Sequence, residues 1–311
     1  MLETLKLHQG PGLNGLYLSA APLARNVDQD SDTIIYTLPG DYTVSVHGYP
    51  QNGNKSRDFP LNPTTCKLLD LLVCELGDSK SRQVELPLEK FLLTTGYTVT
   101  EVDKNFVRPK LKKSIALLGA LSADWTECNG QYLHHEVKFF DEITYQYGRV
   151  CARFSEDMAA YLRGCPSMDL PLPLLAVRGK SPHCYPLGRR CLVHDAANGG
   201  GQQAIRVRSL LAVCPCIPRP DSKESWPPSI LERKVIEPFT AAMARLADGG
   251  ILTWKFREPL CRNDYEGFSD SMVEFQVQAE GAAPVSPMPA DCSDTKREYG
   301  PFDYKAFLAI R

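Results

Sequence analysis

The sequence lacks the features of membrane, secreted and strongly charged proteins. No apolar run approaches the roughly 20 residues that a membrane-spanning helix needs, and the start Met1-Leu2-Glu3 does not resemble a secretion signal. The eleven cysteines are an odd number, scattered through apolar and loop contexts, which indicates reduced thiols in a chain without an export signal. We therefore expect a cytoplasmic protein that does not contact a membrane.

The chain also lacks an excess of either charge. Its net charge of −2 gives no general attraction to nucleic acid, so any DNA-binding surface must come from local clusters of basic residues. A hydrophobic fraction of 43% in 311 residues is enough for packed cores and fits two domains of ordinary size plus tails.

Signatures of catalysis and of metal binding are missing too. The run Gly199-Gly200-Gly201 has no Lys or Ser/Thr of a phosphate-binding loop, and His134-His135 are adjacent, not spaced as metal ligands. The pair Cys214 and Cys216 has no second pair, and no partner spacing supports Cys191 with His194. No Ser-His-Asp or paired-carboxylate arrangement can be identified. The sequence therefore predicts a protein that is not an enzyme, with no catalytic residues, metal or cofactor.

The stretch 204–256 carries the clearest pattern. A β-like run at 204–207 precedes a short apolar helix at 209–213, and a Pro-rich segment follows. Ser229 is expected to cap a long helix that ends at Asp248 before Gly249-Gly250, and 251–256 alternates as a strand. The helix has one apolar stripe, formed by Leu231, Val235, Phe239, Ala242 and Leu246. With a polar loop at 257–270 and a return strand at 272–279, this order predicts a winged helix-turn-helix.

The same order occurs earlier in the chain. Pro109 and Pro238 are 129 residues apart, and so are Trp125 and Trp254, with similar helix, Gly and strand patterns between them. Helices are predicted at 63–76, 87–95 and 100–118, with a strand at 83–86 and a wing hairpin formed by 121–127 and 136–140. The predicted fold class is α+β, with two pseudo-repeated winged helix-turn-helix domains in tandem.

The composition divides the chain into four parts. Residues 1–58 are predicted to form an N-terminal arm, irregular to about residue 30 and followed by a strand hairpin at 33–38 and 42–46. The first winged-helix domain occupies 59–165, and the second occupies 166–279. Residues 280–311 form a C-terminal tail, predicted to be disordered or extended in its first part.

Two groups of basic residues are the candidate DNA contacts. The alternative for both groups is an ordinary solvated surface, which is what most runs of charged residues are. In the second group, Glu224, Glu232 and Glu237 are interleaved with the basic residues. Their position on a helix-turn-helix and its wing favours contact with phosphates and base edges. The candidates are Lys104, Arg108, Lys110, Lys112 and Lys113 in the first unit, and Arg206, Arg208, Arg219, Lys223, Arg233, Lys234, Lys255 and Arg257 in the second.

The order of elements from about residue 60 to 278 resembles plasmid replication initiators that bind origin repeats through two winged-helix domains. The resembling stretches are 84–92 with 106–125, 185–190, 207–211, 235–239 and 246–254. The resemblance implies binding to double-stranded DNA at origin repeats, recruitment of host helicase or initiator proteins, and a homodimer formed through the first domain. It also implies that the helix of the second unit makes most base contacts, here through Arg233 and Lys234.

Two other functions fit the same pattern. A winged-helix transcriptional regulator would occupy a promoter without supporting replication. A non-enzymatic protein-interaction scaffold would use its winged helices to bind protein and would show no salt-dependent affinity for DNA.

Overall fold

The computed structural model describes residues 4–9, 11–17, 24–28, 33–38, 42–47, 61–77, 79–97, 107–127, 132–177, 182–214, 216–218, 220 and 226–278. These residues mix helices and strands, as the α+β prediction requires. The predicted C-terminal tail at 280–311 and the helix cap at Thr100 lie outside them. Within the described ranges, no helix combines the length and the apolar character needed to cross a membrane.

The N-terminal region is more ordered than predicted. Strand β1 (Thr4–His8), helix α1 (Pro11–Gly15) and strand β2 (Ala24–Asp28) occupy part of the stretch that we expected to be irregular. Strand β1 pairs antiparallel with β10 (Ser167–Pro171), which lies at the predicted boundary between the domains. Such long-range pairing leaves no local sequence signal, which explains why β1 was not predicted.

A five-stranded sheet contains the predicted N-terminal hairpin. Strands β3 (Thr33–Leu38) and β4 (Tyr42–His47) pair as expected, and β4 pairs in turn with β6 (Leu121–Glu127). Strand β7 (Tyr132–Lys138) completes the order β2-β3-β4-β6-β7. The stretches 121–127 and 136–140 were predicted to be the first wing, and this is wrong because β6 and most of 136–140 belong to this separate sheet. Residues 128–131, between the two stretches of the predicted hairpin, lie outside the described residues.

The first repeated unit begins with helix α2 (Pro63–Leu76), which Asn62 caps by accepting hydrogen bonds from the backbone N–H groups of Thr64 and Thr65. Strand β5 (Gln83–Pro87), helix α3 (Leu88–Thr94) and helix α4 (Val107–Gly119) follow. After the β6–β7 insertion come β8 (Phe140–Gln146) and β9 (Arg149–Phe154), and the sheet order is β5-β9-β8. Helices α5 (Glu156–Gly164), with its Ser155 cap, and α6 (Leu172–Ala176) then lead to the second unit.

The second unit repeats this order of elements. Helix α7 (Cys184–Ala197), strand β11 (Gln202–Arg206) and helix α8 (Val207–Leu211) correspond to α2, β5 and α3. A long helix follows, and strands β12 (Leu252–Phe256) and β13 (Met272–Val277) close a sheet of order β11-β13-β12. In both sheets the first strand pairs with the last strand, and the middle strand lies at the edge. The 129-residue offset holds for the helices that carry Pro109 and Pro238, but not for Trp125, which lies on the inserted β6.

The long helix of the second unit is interrupted just before Pro238. It consists of α9 (Pro228–Leu231), a π-helical turn (Glu232–Ile236) and α10 (Glu237–Asp248). Pro238 has no N–H, and its ring would crowd the carbonyl of Lys234 in a regular α-helix, so a wider turn accommodates it. Ser229 does not cap this helix, because Pro228 already occupies the first helical position and no side chain caps it.

A six-residue helix, α11 (Tyr265–Asp270), occupies part of the predicted polar wing loop, so that prediction is corrected. Asp264 caps it by accepting a hydrogen bond from the N–H of Gly267, and its Phe268 is buried. The ring of Phe268 meets Phe239 of α10 edge-on, with centroids 5.8 Å apart. The segment between β12 and β13 is therefore anchored to the core of the second unit.

The two units share one hydrophobic core and a buried ion pair. Asp70 on α2 and Arg189 on α7 are 0% and 3% exposed, and Arg189 Nε donates to Asp70 Oδ2 at 2.7 Å. The hydroxyls of Tyr17 and Tyr185 also donate to Asp70, and Arg189 donates to Asn14 on α1. This cluster joins the N-terminal segment to both units.

We predict that Arg189→Met lowers the free energy of unfolding by about 3–5 kcal/mol, because it leaves the carboxylate of Asp70 buried without its cation. Urea denaturation followed by circular dichroism measures this loss. The double variant Asp70→Asn/Arg189→Met should recover much of it.

The matched control is Lys90→Met, which breaks the exposed pair between Lys90 and Glu75. It should cost no more than about 1 kcal/mol. Equal losses in Arg189→Met and Lys90→Met would contradict the structural role of the buried pair.

Candidate nucleic-acid interface

Helix α4 presents three of the predicted basic residues on one surface. Lys110, Lys112 and Lys113 are exposed, whereas Leu111, Ile115 and Leu118 face the core. The apolar positions at i, i+4 and i+7 explain why the lysines face outward. Arg108 lies on the same helix, but its side chain is outside the described residues, as is the whole of Lys104.

The long helix of the second unit buries its predicted stripe. Leu231, Val235, Phe239, Ala242 and Leu246 are all fully buried. Because this stripe fixes the rotation of the helix, the side chains on the other side face solvent.

The exposed side of this helix contains Arg233 and Lys234, as predicted. Lys234 Nζ lies 5.2 Å from the centre of the Trp226 ring, a cation–π contact that holds the lysine near the start of the helix. Glu237, Ala241 and Arg245 continue this exposed side toward the C-terminus. The sequence reasoning missed Arg245, although successive steps of three or four residues from Lys234 would have placed it there.

Two arginines meet at the junction of β11 and α8. Arg206 Nη1 and Arg208 Nη2 lie 3.9 and 3.1 Å from the same oxygen, Oδ1 of Asp270, at the end of α11. All three side chains are about half exposed, from 52 to 54%. Folding thus places two of the predicted contacts, Arg206 and Arg208, beside Asp270, which lies more than 60 residues later in the sequence.

Lys255 and Arg257 meet at a second carboxylate. Lys255 Nζ and Arg257 Nε lie 3.3 and 2.9 Å from the oxygens of Glu274, which faces Lys255 across the β12–β13 pair. Gln202 of β11 also donates to Glu274. The hydrogen bond from Arg257, together with Lys255, holds the pKa of Glu274 below its ordinary value.

A further ion pair connects the segment after β12 to the long helix. Arg262 Nη1 lies 2.7 Å from Oε1 of Glu232 in the π-helical turn. Arg219 and Lys223, which were also predicted, lie outside the described residues. The described basic residues around β12 and α11 therefore alternate with carboxylates that hold them in place.

The closely spaced histidines and cysteines of the sequence contact aromatic or acidic side chains or are buried. His134 stacks on Trp125 with centroids 4.5 Å apart, and His135 Nδ1 lies 2.6 Å from Asp124. Cys191 is buried, whereas His194 lies beside Phe275. Over the described ranges, no group of three or more His, Cys, Asp or Glu side chains could hold a metal ion.

We predict that Glu274 titrates below 4.5, the ordinary pKa of a glutamate, and that Arg257→Gln moves its pKa upward, because the charged hydrogen-bond donor is lost. The depressed pKa adds stability at pH values above 4.5, and this contribution is lost as the pH falls through the folded-state pKa. Carboxyl NMR titration measures both values.

Arg149→Gln, on the sheet of the first unit, is the control and should leave the Glu274 titration unchanged. A Glu274 pKa that does not respond to Arg257→Gln would show that the Arg257 contact does not form in solution.

Comparisons with known proteins give a likeness of fold only. No family model and no curated protein matches the sequence. Among solved structures, the crystal structure of Pi initiator protein in complex with iteron DNA matches with a TM-score of 0.52 and 13% identity, covering 89% of this chain and 98% of that chain. A structure of domains 2 and 3 of RctB matches with a TM-score of 0.48 and 11% identity over 86% of this chain and 99% of that chain. The chain therefore shares the fold of the Pi initiator protein.

Proposed function

We propose that this chain is a sequence-specific double-stranded DNA-binding protein that acts as the replication initiator of a plasmid or integrative mobile element. The observation that carries this proposal is the repeated order of elements. Each unit contains a long helix, a strand, a short helix, a second helix and two further strands, and its sheet pairs the first strand with the last. This is the arrangement expected of two winged helix-turn-helix domains in tandem.

In this proposal, each unit contacts DNA mainly through one helix. The second helix of a helix-turn-helix enters the major groove, and here those helices are α4 and the α9–α10 helix. Lys110, Lys112 and Lys113 on the first, and Arg233, Lys234 and Arg245 on the second, would contact phosphates and base edges. Arg206, Arg208, Lys255 and Arg257 would contact phosphates beside the second wing.

The proposed domains are 59–165 and 166–279, preceded by an N-terminal arm at 1–58. The five-stranded sheet is an insertion that the arm and the first domain build together, since β4 pairs with β6. Two domains linked in this way would bind more tightly than either alone, because the first contact raises the effective concentration of the second.

The likeness to Pi initiator protein supports the proposed DNA target. That protein was crystallised with iteron DNA, and we propose that this chain likewise recognises repeated sites near its own origin. Recruitment of host helicase or initiator proteins and a homodimer formed through the first domain are parts of the same proposal.

The scaffold alternative has one observation in its favour. Arg206, Arg208, Lys255 and Arg257 are all paired with carboxylates of the protein, which reduces their attraction for phosphate. Salt separates the two functions, since DNA binding through phosphates weakens steeply as salt rises. A transcriptional regulator would bind DNA in the same way but would not support replication of a linked plasmid.

Fluorescence anisotropy with duplexes that tile the DNA around the gene tests this proposal. We expect Arg233→Glu/Lys234→Glu to weaken binding to the preferred duplex by about 100-fold at ~0.1 M salt and to reduce the slope of log affinity against log salt by about 2. The reason is the loss of two cations from the exposed side of the second unit's helix.

Lys80→Glu/Lys138→Glu is the matched control, because it makes the same change in net charge at two exposed lysines away from the proposed helix. The proposal would be wrong if both double variants bound equally well, or if the unaltered protein preferred no duplex over a shuffled one.

A further inference from the structure

The position of Asp270 has a consequence for the proposed DNA contacts. It is the last residue of α11, where the helix dipole disfavours a negative charge, so the carboxylate gains nothing from its own helix. Its Oδ1 atom instead lies between the guanidinium groups of Arg206 and Arg208. A carboxylate between two arginines has the chemistry of a bound phosphate oxygen, because guanidinium groups recognise both anions in the same way.

The backbone around Asp270 is held firmly. Phe268 and Ser269 are buried, and α11 packs on α8. The next residue, Ser271, accepts a hydrogen bond at 2.9 Å from the N–H of Val207, the first residue of α8. Asp270 is therefore presented to the two arginines by a fixed part of the wing and not by a loose chain.

The ion pairs themselves are weak enough to exchange. All three side chains are about half exposed, and ion pairs in such positions contribute little because water and salt compete with them. A DNA phosphate can displace a single carboxylate from the two arginines, because the negative charges of the neighbouring phosphates add to the attraction. By contrast, Glu274 is only 17% exposed and is also bonded to Gln202, so it belongs to the sheet.

We propose that Asp270 is an internal competitor for DNA phosphate at the Arg206–Arg208 pair and lowers the affinity of the protein for DNA. This inference rests on the proposed function, because it assumes that the second unit binds DNA. In this inference Asp270, on α11, limits DNA binding. It faces the predicted contacts Arg206 and Arg208, which lie on β11 and α8 of the same unit. Any DNA phosphate that binds the two arginines must first displace Asp270, so the carboxylate weakens binding to preferred and shuffled duplexes by the same factor.

The test is Asp270→Asn, with binding to the preferred and shuffled duplexes measured by anisotropy over a range of salt concentrations. We expect binding to both duplexes to tighten by about 3- to 10-fold at low salt, with a salt dependence steeper by about 1 in the log–log slope. Asp270→Ser should behave in the same way, since it also removes the charge, and circular dichroism checks that both variants are folded.

Asp141→Asn is the matched control. Asp141 also lies between two arginines, 2.9 Å from Arg82 Nη1 and 3.8 Å from Arg153 Nε, but on the sheet of the first unit. It should leave DNA binding unchanged. A further variant, Arg208→Gln in the Asp270→Asn background, should lose the gain, because the gain requires the released guanidinium.

Unchanged or weaker binding by folded Asp270→Asn would overturn the inference while leaving the proposed function intact. Equal tightening by Asp141→Asn would also overturn it, because net charge alone would then explain the effect. If the unaltered protein showed no salt-dependent binding to any duplex, the proposed function and the inference would both be wrong.

Discussion

The structure depends on one buried ion pair between helices that begin the two repeated units. Asp70 and Arg189 have almost no contact with solvent, so their desolvation must be offset by the contacts that they make. Burial and then the charge of Asp70 raise the pKa of Tyr17 and Tyr185 well above the ordinary tyrosine value, which keeps both hydroxyls as neutral donors. The pair thus holds three parts of the chain in one arrangement. Gly188 beside it allows close packing, because a Cβ there would lie 2.5 Å from Leu174 Cδ1.

In the proposed function this constraint matters, because two helices that read DNA in tandem are useful together only if their separation is fixed. Tandem winged helices that read successive major-groove faces need a spacing near one helical turn, about 34 Å. The shared core and the N-terminal segment, through β1 and Asn14, hold the two units in one arrangement. The basic residues beside Asp270 and Glu274 are locally matched by these carboxylates, so groups of basic residues occur in a chain whose net charge is −2.

The sequence predicted most elements whose signal is local. The stripe from Leu231 to Leu246, the helix at 63–76 and the hairpin of 33–38 with 42–46 were identified correctly, because periodicity and turn residues report on neighbours in the chain. Apart from the Ser229 cap and the helix inside the predicted loop at 257–270, the errors concern partners far away in sequence. Strand β6 follows a helix as a wing strand would, yet it pairs with β4, and β1 pairs with β10. Likewise, the exposed lysines and arginines of the candidate interface could be predicted, but the carboxylates that hold them come from other elements, as Asp270 does for Arg208.

Hydroxyl-radical footprinting tests the central claim most directly, using the DNA segment beside the gene that the protein binds most tightly. Two winged helices held in one arrangement predict two protected stretches on one face of the duplex, with centres about 10 base pairs apart. The protection should disappear at high salt, since phosphate contacts supply much of the affinity. A single protected stretch would contradict the tandem arrangement, and no protection on any segment would contradict DNA binding itself.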